Sequence, residues 1–528
     1  MGEPYSKKST GEDEMTITIS EEMNDLENKV RKWDDYMLVQ DDNEGARFIK
    51  HYLDRFNTVS YFNEFAGLLS FFFTMGQLCA PYMRIPILGT WIDCRVHTFW
   101  IQQSRTGKSI AWEFTNRLLG ALGVESESFT AGSDAKLIGT VKEERIYDDN
   151  GRPTGETQVI TTEGLLNGYK TLVFDEASVL LNDSKSHFSE KILYLQQAMA
   201  PLGSSTNVLV KHLVGGSVHT PSGVSLWMTT FPPKDIMAHV LDKGFFQRVF
   251  LFQNDITAEQ RHTTSEKRMG GAYEKVDEEI MDYEEIAEYM QGCCDLVRER
   301  LWDAIGLESR YIEVPDPMNP REQTMRQELT KATQWASLTD REREDYAIKH
   351  AHDIFDISPG YHPALFNALD DYYSLASSIS NEHVKETALS FLPNIENYTL
   401  IFSNLIATIR RESTITEEHI MMANEIIFDN FHNLIIWLEQ KQSVVNKKRS
   451  TAEKESWRNA FKQCKEYVDD KDGIKKVLQA DLLKIYAEQQ SIADITTRRR
   501  FNALKKSGLI TISRSGKGNR NFIHFAWG

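Results

Sequence analysis

Six side chains in this sequence suggest concerted chemistry by type and order: Lys108 and Ser109, Asp175 and Glu176, Thr230 and Arg248. The first two close the run Trp100-Ile-Gln-Gln-Ser-Arg-Thr-Gly-Lys-Ser109, between a strand-like stretch (95–101) and a helix-spaced one (110–119). That is the layout of a phosphate-binding loop. Gly107 lets the backbone approach a phosphate, Lys108 reaches the β- and γ-phosphates, and the Ser109 hydroxyl can hold Mg²⁺. Gln103, Ser104, Arg105, Thr106, Gly107, Lys108 and Ser109 form the expected ATP-binding set. The glycine that usually opens such a loop is absent, because Gln102 stands there. Gly-Lys-Ser also occurs in ordinary turns, so the weight rests on its partners.

Those partners follow in order. Tyr169-Lys-Thr-Leu-Val-Phe-Asp-Glu176 reads as a buried parallel strand that delivers two acids to the nucleotide side of a sheet. Asp175 is placed to hold Mg²⁺ with Ser109, and Glu176 to polarise an attacking water. A second buried strand, 225–233, ends in Thr229 and Thr230; either hydroxyl suits the sensing of a γ-phosphate or simply satisfies a turn. Arg248 sits among aromatic residues before a last apolar strand, from which an arginine finger reaches a neighbouring subunit.

The elements that position these groups are legible at coarse grain. Met23, Leu26, Val30 and Trp33, then 46–56, have helical spacing, and the apolar run 61–75 reads as a buried helix. Residues 128–140 read as a polar turn and short helix. Residues 144–160 read as a β-hairpin turning at Asn150-Gly151, with Arg152 beside the turn. The separation of 67 positions from Lys108 to Asp175 accommodates this insertion. A helix is expected at 191–200, and a second hairpin at 207–220 with Lys211 and His212 near its tip. The fold class expected is α/β.

The set resembles an AAA+ ATPase of the pre-sensor-hairpin group and is most similar to the motor of the MCM helicases; phage primase-helicase motors are nearly as similar. The likeness spans about residues 85–260 and, more faintly, 390–440. It implies a helix-2 insert hairpin at 144–160, a Walker B strand at 172–176, and a pre-sensor hairpin at 208–219 whose DNA-contacting lysine is Lys211. It also implies Arg248 as the finger and a ring, by family a hexamer, with single-stranded DNA in its channel. Departures from the pattern are Gln102, a threonine where the family has a sensor asparagine, and no arginine near Asn394 at the expected start of a lid helix.

Around this core, residues 1–84 are expected as a polar tail and helical segment, 261–440 as a helical lid, 441–454 as a linker, and 455–528 as a winged helix. Helices are expected at 457–468 and 480–486, a turn and third helix within 491–506, and then a Gly-rich wing at 509–525. The net charge is −17, yet residues 495–528 hold eight Lys/Arg and no acid, leaving −25 on residues 1–494. Arg498, Arg499, Lys505, Lys506, Arg514, Lys517 and Arg520 are therefore candidates for duplex DNA, along with Arg152, Lys211 and His212 on the hairpins. Five cysteines lack metal-ligand spacing, which suits buried thiols in a reducing compartment. No basic-then-apolar leader opens the sequence and no span for a membrane is expected, so a cytoplasmic protein is anticipated. The reading is an ATP-driven DNA helicase or translocase of a virus or mobile element. Its rivals are a nucleotide-controlled replication initiator or regulator and a motor that remodels protein.

Overall fold

The computed structural model describes residues 33–59, 64–129, 134–147, 153–177, 188–213, 216–232, 244–254, 256–270, 283–315, 324–468, 475–490, 493–506, 510–514 and 521–525. The chain divides into two compact units, 1–437 and 438–528. Segments expected as separate bodies on either side of residues 84 and 260 belong to the first unit together.

After a short helical stretch at Trp33–Asp35 and Met37–Gln40, the longer helices α1 (Glu44–Val59) and α2 (Glu64–Cys79) lead in. Helix α2 is the apolar run, and Leu68, Leu69, Phe71, Phe72 and Phe73 are buried. Each such side chain contributes roughly 1.5–3 kcal/mol on burial. Gly76 allows α2 to pass against the backbone: a Cβ there would lie 2.3 Å from the Cys94 carbonyl oxygen. A small hairpin not anticipated in the sequence, β1 (Arg84–Ile87) and β2 (Thr90–Asp93), follows. Then come β3 (Thr98–Gln102), the loop, and α3 (Lys108–Ala121).

The central sheet joins β3 to β4 (Ser126–Ser128), β7 (Thr171–Phe174), β10 (Ser225–Thr230) and β11 (Phe250–Asn254) in the order β11-β3-β10-β7-β4. Every pairing is parallel. All five strands therefore end at one edge, where the loops collect. Between β4 and β7 stands the hairpin β5 (Gly139–Tyr147) and β6 (Pro153–Glu163). Its arms run further than expected, and its turn, with Asn150, Gly151 and Arg152, lies outside the described residues. The short helix Asp134–Ile138 occurs as expected, as does α4 (Phe188–Ala198), which begins three residues early. The second hairpin, β8 (Val208–Leu213) and β9 (Gly216–Pro221), follows, and β9 lies against β5.

The segment beyond β11 carries α5 (Tyr283–Ile305), α6 (Tyr361–Ser377) and α7 (Glu382–Ile409). It also holds an unanticipated antiparallel ribbon, Arg310–Pro315 with Thr324–Leu329. Phe402 of α7 stacks on Phe72 at 4.0 Å and on Phe250 at 5.5 Å, so α7 packs directly against α2 and the sheet. Asn394 lies mid-helix in α7; the helix starts at Glu382, where the Asn381 side chain caps it. All five cysteines are buried free thiols.

Helix α8 (Glu417–Gln463) continues through residues 441–454, the segment expected as a linker. Those residues are polar and basic but include no Gly or Pro, so nothing interrupts the backbone ladder. The second unit contains the end of α8, α9 (Gln479–Gln490), α10 (Asp494–Lys506) and an antiparallel sheet of Glu466–Val468, Lys475–Leu478, Asn521–Phe525 and Ile510–Arg514 in that order. The helix expected to reach residue 468 stops at Gln463, because Glu466–Val468 pairs with Lys475–Leu478. Trp457 stacks on Tyr486 at 3.5 Å in a core with Phe501, Leu504, Ile510 and Ile523. Among the described residues no helix is long and apolar enough to cross a membrane.

Candidate functional site

Gln102 explains how the loop is built without its leading glycine. It is the last residue of β3 and fully buried. Its amide oxygen accepts the Trp100 Nε1–H at 3.0 Å, and its Nε2 donates to Thr106 O (3.0 Å) and Thr106 Oγ1 (2.8 Å). Thr106 Oγ1 in turn donates to Gln103 O at 2.6 Å. The side chain points beneath the loop and braces it from the core. The signal was a polar residue ending a wholly buried apolar strand. On the other side, Gln103 Oε1 accepts the Ile256 N–H at 3.0 Å.

Above that brace, Arg105 (φ 63°) and Gly107 (φ 99°) take left-handed conformations and turn the chain into α3. Arg105, Thr106, Gly107, Lys108, Ser109 and Ile110 line a cavity of about 460 Å³. Lys108 Nζ donates to Gln102 O (2.7 Å) and Gln103 O (2.9 Å). Burial pulls the Lys108 pKa below its usual value, against the opposing pull of the Glu176 and Asp175 carboxylates. The helix N-terminus and this ammonium together make an anion cradle.

The parallel register brings the other groups to the same edge. Asp175 and Glu176 follow β7 and are exposed. Ser109 Oγ lies 3.4 Å from Asp175 Oδ1. This all-oxygen pair suits Mg²⁺, which takes one or two carboxylates and completes its shell with phosphate and water. Thr229 Oγ1 donates to Asp175 O at 2.6 Å, and Thr230 Oγ1 to Glu176 Oε1 at 2.8 Å. The two threonines thus have distinct duties: one holds the backbone of the acid pair, the other aims the Glu176 carboxylate.

Arg248 stands elsewhere. It closes a short 3₁₀ turn before β11, is exposed, and donates from Nη1 to Gly244 O at 2.9 Å. Phe250 is in register with Thr98, the first residue of β3, so Arg248 lies at the amino edge of the sheet. At about 3.3 Å per strand residue, that edge is roughly 15 Å from the loop.

The amino edge also holds a cluster the sequence reading passed over. Arg95 and Asp93 form a buried bidentate pair (Nε–Oδ1 2.8 Å, Nη2–Oδ2 3.0 Å). Arg95 also donates to the carbonyls of Ala198, Ala200, Ser222 and Val224, and Asp93 Oδ2 accepts the Leu202 N–H. Burial works to raise the Asp93 pKa, but the Arg95 charge overrides it and brings it to about 2. The available signal was Asp-Cys-Arg, an i, i+2 opposite-charge pair after an apolar stretch.

Of the candidate DNA contacts, Arg498, Arg499 and Lys505 are exposed on α10. Lys211 and His212 lie in β8 opposite Val218 and Ser217, Lys506 ends α10, and Arg514 ends a strand; their side chains lie outside the described set. Arg152, Lys517 and Arg520 lie outside the described residues altogether. Among the described residues no group of three or more His, Cys, Asp or Glu is disposed to hold a metal. No protein-family model and no curated protein matches this chain.

Proposed function

We propose that this chain is an ATP-hydrolysing motor of the AAA+, MCM-like kind that translocates on DNA, with ATP bound between copies of the chain. The observation that carries this reading is the division of groups between the two edges of one parallel sheet. Lys108, Ser109, Asp175, Glu176 and Thr230 converge at the carboxyl edge, whereas exposed Arg248 stands roughly 15 Å away along the strands. An arginine so placed serves the nucleotide of a neighbouring copy and not its own, so the active form is an oligomer, a hexameric ring by resemblance.

In this scheme the loop amides and Lys108 hold the phosphates. Ser109 and Asp175 hold Mg²⁺, which neutralises phosphate charge when bound. Glu176, oriented by Thr230, takes up the attacking water, and Arg248 of the next copy stabilises charge on the transferring group. The adjacent hairpins β5–β6 and β8–β9 are the elements that contact a single strand. The second unit, read as a winged helix, presents Arg498, Arg499 and Lys505 to duplex phosphates.

ATP turnover with and without single-stranded DNA tests the reading. Stimulation that is abolished in Glu176→Gln, but retained after removal of residues 455–528, supports the motor. No turnover together with sequence-selective duplex binding replaces it with an initiator or regulator. Turnover indifferent to any nucleic acid points to a remodeller of protein.

A further inference from the structure

A second cavity, of about 390 Å³, opens at the amino edge of the sheet. His97, Gln247, Arg248, Asn394, Asn397 and Tyr398 are among the residues that line it. His97 is 5% exposed, and its Nδ1 accepts the Leu226 N–H at 3.3 Å. Burial, helped by the Arg95 charge, pushes its pKa down to about 3, so the ring is neutral and its proton sits on Nε2. Among the described residues that Nε2 meets no acceptor. Arg248 places one N–H on Gly244 O and no other on a described residue. The Gln247 and Asn397 amides have no partner among the described residues either. The acid on the wall, Asp93, is already neutralised by Arg95 at 2.8 Å. His97 is the buried member of this set; it shares the cavity wall with two half-buried amides and the exposed Arg248 guanidinium, and donors converging in this way point to an oxyanion.

We propose that this cavity is a phosphate-accepting site in which His97 Nε2, the Gln247 and Asn397 amides and the Arg248 guanidinium hold a phosphate group. Two sources present that chemistry: the terminal phosphate of a nucleotide on the loop of a second copy, or free inorganic phosphate. The first rests on the motor reading above; the second does not.

Two substitutions separate the sources, Asn397→Ala and Lys108→Ala, with Gln247→Ala as a second probe should the helix substitution disturb folding. If the neighbour's nucleotide is the source, Asn397→Ala turns over ATP about tenfold more slowly at unchanged nucleotide affinity. Mixing it with inactive Lys108→Ala then restores turnover above the sum of the two alone, because each copy supplies the half the other lacks. If free phosphate is the source, Lys108→Ala binds inorganic phosphate saturably by calorimetry. Adding Asn397→Ala then weakens that binding about tenfold, while Asn397→Ala alone keeps wild-type turnover. The site is overturned if both Asn397→Ala and Gln247→Ala match wild-type turnover and phosphate binding to Lys108→Ala is absent or indifferent to them. Failure of the motor reading looks different: the wild type itself does not hydrolyse ATP, and the phosphate titration alone decides the cavity.

Discussion

The two edges of the central sheet are built on opposite terms. At the carboxyl edge, Asp175 and Glu176 are exposed, Ser109 and Asp175 meet at 3.4 Å, and Lys108 rests on loop carbonyls. On the motor reading these are the groups that meet the nucleotide. At the amino edge, Arg95 and Asp93 commit nearly every donor and acceptor to each other and to backbone groups of two segments, 198–202 and 222–224. One edge is arranged for exchange and the other for permanence. Arg248, Gln247, Asn397 and His97 are the exceptions, each with a donor that meets no partner among the described residues.

The contrast is most exposed to test where the permanent edge is cut. Asp93→Ala leaves the Arg95 guanidinium buried without its counter-charge and is expected to cost about 3–5 kcal/mol in urea unfolding. Lys108→Ala, at the exchanging edge, is expected to cost under about 1 kcal/mol. Equal losses would erase the distinction. Next in size, Glu176→Gln should lower ATP turnover by about 100-fold or more while the unfolding midpoint stays near that of the wild type. A midpoint that falls with activity would make Glu176 structural.

Gln102 stands between the two regimes, a buried brace under an exchanging loop. Gln102→Ala strands the Trp100 Nε1–H and loosens Thr106, and is expected to cost about 1–3 kcal/mol and to weaken ATP binding. Stability lost with ATP affinity intact would confine Gln102 to the core.

Acid titration sharpens the comparison further. His97 has a folded pKa pushed down to about 3, and His419 one pushed down to about 4, in each case by burial and then by a nearby arginine. Below an unfolded value of about 6.5 the unfolded chain takes up protons that the folded chain refuses. Each group should therefore remove about 1.4 kcal/mol per pH unit until its folded pKa is reached. Asp93 has the depressed carboxyl value, so its contribution is complete above about pH 4 and fades toward about pH 2. His97→Gln should flatten the slope between pH 6 and 4; an unchanged slope would remove His97 from it. The smallest effect expected is on the stability of Arg248→Ala, within about 0.5 kcal/mol of wild type, because that side chain is exposed. A larger loss would place Arg248 with the permanent edge.

The strand–loop–helix around Lys108, the acid pair after β7 and both hairpins were legible in the sequence. Each is a local pattern: alternation or an apolar run closed by glycine, by Asn-Gly or by charge. The β1–β2 hairpin, the ribbon at 310–329 and the unbroken course of α8 were less legible, because short strands carry weak periodicity and a basic composition does not by itself end a helix. The sequence by itself determined which chemistries are available, since residue type and spacing decide what a loop or strand end can offer. Only the tertiary structure decided how they are divided. Parallel register set Thr230 against Glu176 and put Arg248 at the far edge. The physical reason is that strands distant along the chain share an edge only through their pairing, and pairing is a long-range property that no local window contains.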